Sequence, residues 1–181
     1  HRKDAIFHTI VGGGLEHQLL GAIPKEATLI ANLRRNFPNV VDVHLAPGGV
    51  MRFHLYVKLR KRQEGEGKNV IMGAFAASFD LKHVIVVDED VDIHNPTEVE
   101  WAVATRFQAD RDLLIVPNSQ NSKLDPSANK GVGAKMGIDA TKPLAADEMV
   151  FKRIRVPGEE AIDAAEVMKR DTKADWKSTL K

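Results

Sequence analysis

"HVIVVDEDVDIHNPTEVEWAVATRF", His83 to Phe107, is the stretch that decides the fold. Val84 to Val87 are four β-branched apolar residues in a row, the pattern of a central strand covered on both faces. "LLIV", Leu113 to Val116, repeats that pattern. Between them Asn95 suits a helix N-cap, Pro96 the first helical position and Glu98 the third position of a capping box. Val99, Ala102, Val103 and Arg106 then share one helical face. Strand, helix and strand joined by short links predict a right-handed parallel βαβ unit. The fold class is therefore α/β, a mixed β-sheet with helices on both faces.

The same stretch poses a chemical question, because the apolar run ends in Asp88, Glu89 and Asp90, with Asp92 close behind. Like charges repel, and removing any of them from water is costly unless something pairs with it. Asp-x-Asp after a strand is how nucleotide-sugar transferases hold a divalent metal, since hard cations take carboxylate oxygens. The plainer reading is a structural corner: Asp90 and Asp92 cap the loop and pair with Arg106 or Arg111, and Glu89 stays solvated. Spacing alone leaves both open.

Outward from this unit, "KEATLIANLRRNF" predicts a helix over residues 25–37, stopped by Pro38. "VVDVHLA" and "RFHLYVKL" alternate apolar and polar residues, so each is a strand with one wet face. Pro47-Gly48-Gly49 between them makes a tight reversal and an antiparallel pair. "NVIMGAFAASF", residues 69–79, reads as a small-residue helix packed closely on the sheet. Residues 117–143 lack periodicity and are rich in Gly, Ser, Asn, Asp and Lys, which predicts a long functional loop. Residues 158–181 close the chain as a helical arm, with Ala161, Ala165, Met168 and Trp176 suited to capping another subunit. Domain boundaries are therefore expected at 1–157 and 158–181.

Composition narrows the function. With 181 residues, 43% apolar and 28% charged, the chain can bury a core. A net charge of +1 gives no electrostatic case for nucleic acid or a membrane surface, although basic residues cluster in "KLRKRQ". The absence of cysteine excludes disulfides, zinc–thiolate sites and thiol nucleophiles, and fits a cytoplasmic protein. No apolar run approaches the length of a membrane span. The polar start at His1 reads like a piece of something longer.

Other constellations are thinner. Gly12 to Gly14 make a turn rather than a phosphate loop. "GVGAKMG", Gly131 to Gly137, suggests an amide nest with Lys135 as an anion- or cofactor-side candidate. The seven histidines are scattered, with no i, i+4 pair for a metal. Ser119, Ser122 and Ser127 lack a nucleophile elbow.

Taken together, five blocks are familiar: "IVGGGLEHQLLGAIPKEATL", "FPNVVDVHLAPGG", "VIVVDEDVDI…EVEWAVATRFQADRDLLIV", "KLDPSA" and "GAKMGIDATKP". In order and spacing they resemble the C-terminal domain of the UbiD family of decarboxylases, over roughly residues 1–145. The resemblance implies a carboxy-lyase acting reversibly on an aromatic or α,β-unsaturated carboxylic acid, with prenylated FMN as electron sink. A divalent metal, and K+ as an optional further ion, would accompany the flavin in the full-length protein. The family's Glu-Arg-Glu catalytic set and flavin site lie in an N-terminal part not found in this sequence, so no catalytic residue, metal or bound cofactor is expected in this piece, which alone should be inactive.

Family members place the active site between their two domains and dimerise through the C-terminal domain. The partners implied are therefore the N-terminal domain of the same protein, a small carboxylic acid and a second copy in a homo-oligomer. Pro24, Glu26, Ala27, Ser122 and Leu124 match pocket-facing segments. A lysine that touches the flavin phosphate in some members falls at Ala76. Under the resemblance the acidic block, with Asp88, Asp90 and Asp92 beside Arg106 or Arg111, is a structural corner. A nucleotide-sugar transferase with an Asp-x-Asp metal and a non-catalytic assembly module are the alternatives.

Overall fold

A computed structural model of the chain describes residues 15–152, 154 and 158. Two compact units divide between Asp147 and Glu148, and of the second the described part is the 3-10 turn Glu148–Phe151 with residues 152, 154 and 158. Gly12 to Gly14 and, apart from residue 158, the expected arm over 158–181 lie outside the described residues.

The first unit holds five strands in the order β1-β2-β3-β5-β4: β1 Val40–Leu45, β2 His54–Leu59, β3 His83–Asp88, β4 Leu113–Gln120 and β5 Val132–Ala140. Helices α1 (Leu15–Asn36) and α2 (Glu66–Ala77) pack on one face, and α3 (Pro96–Arg106) on the other. This is the α/β, two-faced mixed sheet expected. Val84, Val86 and Val87 of β3 are fully buried, as an unalternating apolar run requires. Phe53, Leu55, Val57 and Leu59 are all buried while their alternate neighbours are half-exposed.

Two expectations fail. β3 and β4 do not form a parallel βαβ unit. β5 lies between them, parallel to β3 and antiparallel to β4. "LLIV" belongs to an edge strand, with Ile115 60% exposed. A short apolar run cannot by itself distinguish a central strand from an edge one whose inner face alone is covered. The parallel crossover instead runs β2-α2-β3. Nor is 117–143 one loop, since only residues 121–131 connect β4 to β5. Pro117 hid the strand: it sits on the edge at a register shift between Val116 and Ser119, where a missing N–H costs no ladder bond.

Two glycines permit close approaches within the sheet layers. Gly49 closes the β1–β2 reversal because a Cβ there would come within 2.4 Å of His54 Cβ. Val50 and Met51 are then forced to φ of 51° and 52°, a left-handed conformation that β-branched valine disfavours, and the chain emerges at Arg52. Gly137 lets α2 approach the sheet, since a Cβ there would lie 2.2 Å from Ile71 Cγ2.

Candidate functional site

Two adjoining basins open at the end of the sheet where β2, β3 and β5 begin. The larger, about 960 Å3, lies between α1, the α2–β3 turn and β4, lined by Pro24, Lys25, Leu29, Phe75, Phe79 and Lys135 among others. The smaller, about 570 Å3, is walled by the β4–β5 connection, including Ser122, Leu124, Lys123 and Lys130. Arg52, Phe79, Asp80 and Gln120 line both, so one elongated molecule could touch both.

Asp80 organises the junction. Its Oδ2 accepts from Lys25 Nζ at 2.7 Å and from Arg52 Nη1 at 3.2 Å. Burial pushes the Asp80 carboxyl up, but the Lys25 bond and charge, Ser122 and Arg52 outweigh it and hold it below the ordinary carboxylate value. Beneath it, Lys135 is only 5% exposed. Its Nζ donates to the carbonyls of Phe79 (2.7 Å) and Leu81 (2.6 Å) and lies 5.5 Å from the Phe75 ring centre. Burial, helped by the Lys25 charge, draws the ammonium below its ordinary value against the pull of Asp80. Lys135 therefore pins the turn that carries Asp80. It does so from within β5, and the amide nest expected around it is replaced by strand.

The residues expected at the pocket separate. Pro24 lines the larger basin, and Ser122 and Leu124 the smaller. Glu26 turns elsewhere: its Oε1 accepts from Leu45 N at 2.5 Å and contacts His44 Nδ1 at 3.0 Å. With Arg34 Nε donating to Val40 O at 2.9 Å, it seals the free edge of β1. Exposed Ala27 lines neither basin, whereas Ala76 does line the larger one. Lys25, Arg52, Phe79, Asp80 and Gln120 escaped the sequence reading. Their convergence depends on β2, β3 and β5 being neighbours, which the assumed βαβ unit denied.

At the opposite end of β3 the acids form a corner around Arg106, whose side chain has no exposed surface. Nη1 donates to Asp88 at 2.7 Å, and Nη1 and Nη2 grip Asp90 at 3.0 and 2.9 Å, with Trp101 5.2 Å from the guanidinium. Asp88 also accepts from Lys142 N at 2.8 Å. Burial raises the Asp88 carboxyl beyond what Lys142 and Arg106 recover. For Asp90 burial pulls the same way, yet Arg106 and Lys142 win and lower it. Asp92 caps the turn by accepting from His94 N, Glu98 reaches back to Asp92 N, and Asn95 caps α3 through Thr97 N. Two assignments need correcting: Arg111 pairs with its neighbour Asp112 at 3.1 Å instead of joining the corner, and Glu89 pairs with Arg60. Asp88 Oδ2 and both Asp90 carboxylate oxygens are taken by Arg106 and Lys142, and among the described residues no group of three or more His, Asp or Glu is placed to hold a metal.

Four of the scattered histidines meet in two pairs, one across the sheet and one between β1 and the β3–α3 connection. His44 and His94 rings lie 4.4 Å apart. His83 Nδ1 and His54 Nε2, on paired positions of β2 and β3, are 2.8 Å apart. Alternation on predicted strands was the signal available, since His54 and Tyr56 share one face.

Residues 18–140 match the family described as the 3-octaprenyl-4-hydroxybenzoate carboxy-lyase C-terminal domain. The chain is 53% identical over 151 residues to an anhydromevalonate phosphate decarboxylase of Aeropyrum pernix, covering 83% of this chain and 34% of that one. It is 34% identical to a gallate decarboxylase of Lactiplantibacillus plantarum, covering 100% and 37%. Among solved structures it resembles the UbiD-class enzyme HmfF of Pelotomaculum thermopropionicum. The complex with FMN gives a TM-score of 0.80 and 48% identity over 92% of this chain and 37% of that one. An evolved dimeric form with prFMN gives 0.71 and 43% over 92% and 35%. The chain thus spans about a third of the length of the curated relatives it matches. By sequence and by fold, it belongs to the UbiD family of decarboxylases as a C-terminal domain.

Proposed function

We propose that the two basins are the substrate-side wall of a carboxy-lyase cleft, closed by an N-terminal domain of the same protein, for an aromatic or α,β-unsaturated carboxylic acid. The observation that carries this reading is the Asp80 junction. It sets Lys25 and Arg52 beside an apolar surface of Pro24, Leu29, Phe75, Phe79 and Val116. A conjugated acid needs flat apolar contact for its carbon skeleton and cations for its charge.

Prenylated FMN, held by the N-terminal domain, would face this apolar lining across the cleft. Bound, that cofactor supplies the electron sink for the charge left when carbon dioxide departs. The chain's own residues do the rest. Phe75, Phe79 and Val116 exclude water, ionised Asp80 orients Lys25 and Arg52, and Lys135 fixes the turn bearing Asp80. The carboxylates of a metal site would come from outside the described residues.

The reading includes a homo-oligomer, supported by Ile115 and Val132, 60% and 49% exposed on the sheet. It also includes a cytoplasmic protein that binds no nucleic acid, in line with zero cysteines and a net charge of +1. No described helix is long and apolar enough to cross a membrane.

Titrating the 15N-labelled chain with cinnamate tests the site. Amides of Thr28, Arg52 and residues 75–80 should move together, and Arg52→Ala should weaken the effect about tenfold. Shifts centred on the Asp88–Arg106 corner instead would refute the assignment.

A further inference from the structure

The β4–β5 connection walls the smaller basin, yet its hydrogen bonds run mainly to itself. Its base is fixed. Asn121 N donates to Gly131 O at 2.8 Å, and Lys130 and Gly131, at φ of 52° and 83°, make a tight turn closed by Asn129 and Val132. Above that base, Asp125 N donates to Ser122 O and Ala128 N to Asp125 O, each at 3.1 Å. Asp125 Oδ1 accepts from Ser127 N at 3.0 Å and from Ser127 Oγ at 2.7 Å. A loop with close ends and internal bonds of this kind is a compact unit, able to swing about its base without breaking a strand ladder.

The turn from Asp80 to Lys82 ties this unit down. The Ser122 hydroxyl donates to the Asp80 carboxyl, and Lys82 Nζ reaches Ser127 Oγ at 2.6 Å and Asp125 Oδ2 at 3.0 Å. The Lys82 side chain is 27% exposed, so water competes for its tie and the tie breaks cheaply. At the base Asn121 is buried, yet its Oδ1 has no hydrogen-bond partner and its Nδ2 reaches Ala134 O only at 3.5 Å. A buried acceptor left dry is a standing cost of the closed position, and swinging the loop out relieves it. Closure is also linked to the site, because Asp80 holds Lys25 and Arg52 while Ser122 and Leu124 line the basin. An acid spanning both basins meets those two residues only when the loop is closed, so its binding favours closure.

We infer that residues 122–128 form a lid over the smaller basin, hinged at Asn121 and Asn129, which latches to the Asp80 turn through Lys82 and Ser122 and closes over a bound acid. The inference rests on the two basins being the proposed cleft, and it adds the element that shields the acid from water. Lys82 is then a positioning residue, acting on the acid through the lid.

Native-state amide exchange of the 15N-labelled full chain, alone and with cinnamate, tests the lid. Amides of Leu124, Asp125, Ser127 and Ala128 should exchange together, faster than those of residues 135–138 in β5. With free cinnamate at ten times its Kd, the lid amides should slow about tenfold. A loop held down for structure alone would show no such slowing. Lys82→Met should quicken lid exchange in the free chain about tenfold while residues 135–138 keep their rates. Ser127→Ala, which removes one hydroxyl, should quicken it about threefold and decides the matter if K82M does not fold. If cinnamate moves the amides of residues 75–80 but slows none in the lid, the inference falls and the cleft reading stands. If cinnamate moves neither segment, both fall. Lid exchange unchanged in the folded variants would also overturn the inference.

Discussion

Replacing Arg106 by Met probes the acidic corner most sharply. Met fills much of the same volume but removes the charge that faces Asp88 and Asp90. The Asp90 side chain is 46% exposed, so its two bonds contribute on the order of 0–1 kcal/mol. Asp88 is different: its side chain is 12% exposed and 2.7 Å from Arg106. Stranding a buried charge costs roughly 3–5 kcal/mol. Because Lys142 N still donates to Asp88, the low end applies, and losing the Trp101 contact adds about 0.5–1 kcal/mol. The expected loss is about 3.5–5 kcal/mol at pH 7, or roughly 7–20 °C in Tm for a chain of this size. Urea and thermal unfolding followed by far-UV circular dichroism would measure it.

The pH dependence gives a second handle on that variant. The Asp88 carboxyl already titrates above its unfolded value, so ionising it opposes folding, and that cost appears as pH rises through the folded pKa. Without Arg106 the cost grows. The deficit of R106M should therefore shrink toward pH 4, and Asp88→Asn added to R106M should recover part of it at pH 7. A variant within 1 kcal/mol of the wild type at pH 7, or a deficit that grows on acidification, would refute this account of the corner.

Three further outcomes are expected. Gly137→Ala drives a Cβ against the Ile71 Cγ2 methyl and should cost about 1–3 kcal/mol in chemical unfolding, and because Ile71→Ala removes that methyl, the two substitutions together should cost less than their sum. Burial lowers His83 to about 4, with His54 and Lys82 adding to the shift, and burial likewise lowers His54. Folded values below the unfolded 6.5 mean that stability is fully present above pH 6.5 and lost as pH falls toward 4. H83Q should flatten that slope by on the order of 1–2 kcal/mol, after discounting for partial exposure. Lys135→Met leaves the carbonyls of Phe79 and Leu81 without their donor, so amide exchange of residues 79–82 should quicken more than that of β3's centre.

What could be read from the sequence tracks how local its cause is. Alternation in "RFHLYVKL", the Asn95-Pro96 start of α3 and the unbroken Val84–Val87 run each specify one element through neighbours in sequence, and each was legible. Sheet order was not, because pairing β5 beside β3 depends on 40-odd residues of intervening chain and on Pro117 sitting harmlessly at an edge bulge. The site inherited that blindness. Asp80, Arg52 and Lys135 carry no mutual spacing signal and meet only where three strands begin. Glu26 misled for a related reason: in α1 it shares the helix with Pro24 but turns to the β1 edge. The corner was half legible, since Arg106 and the acids flank α3, whereas Arg111 and Asp112 satisfy each other within one turn.

The central claim is that the wall organised by Asp80 belongs to a decarboxylase cleft. Its most direct test is release of labelled carbon dioxide from carboxyl-13C acids by the full-length polypeptide carrying this domain, loaded with prenylated FMN. Wild type and Arg52→Ala are to be compared at matched cofactor occupancy and matched thermal stability. The account predicts release by the wild type from at least one aromatic or α,β-unsaturated acid, and a loss of tenfold or more in kcat/KM in the variant. No release from any such acid, or equal kcat/KM in the two proteins, would contradict it.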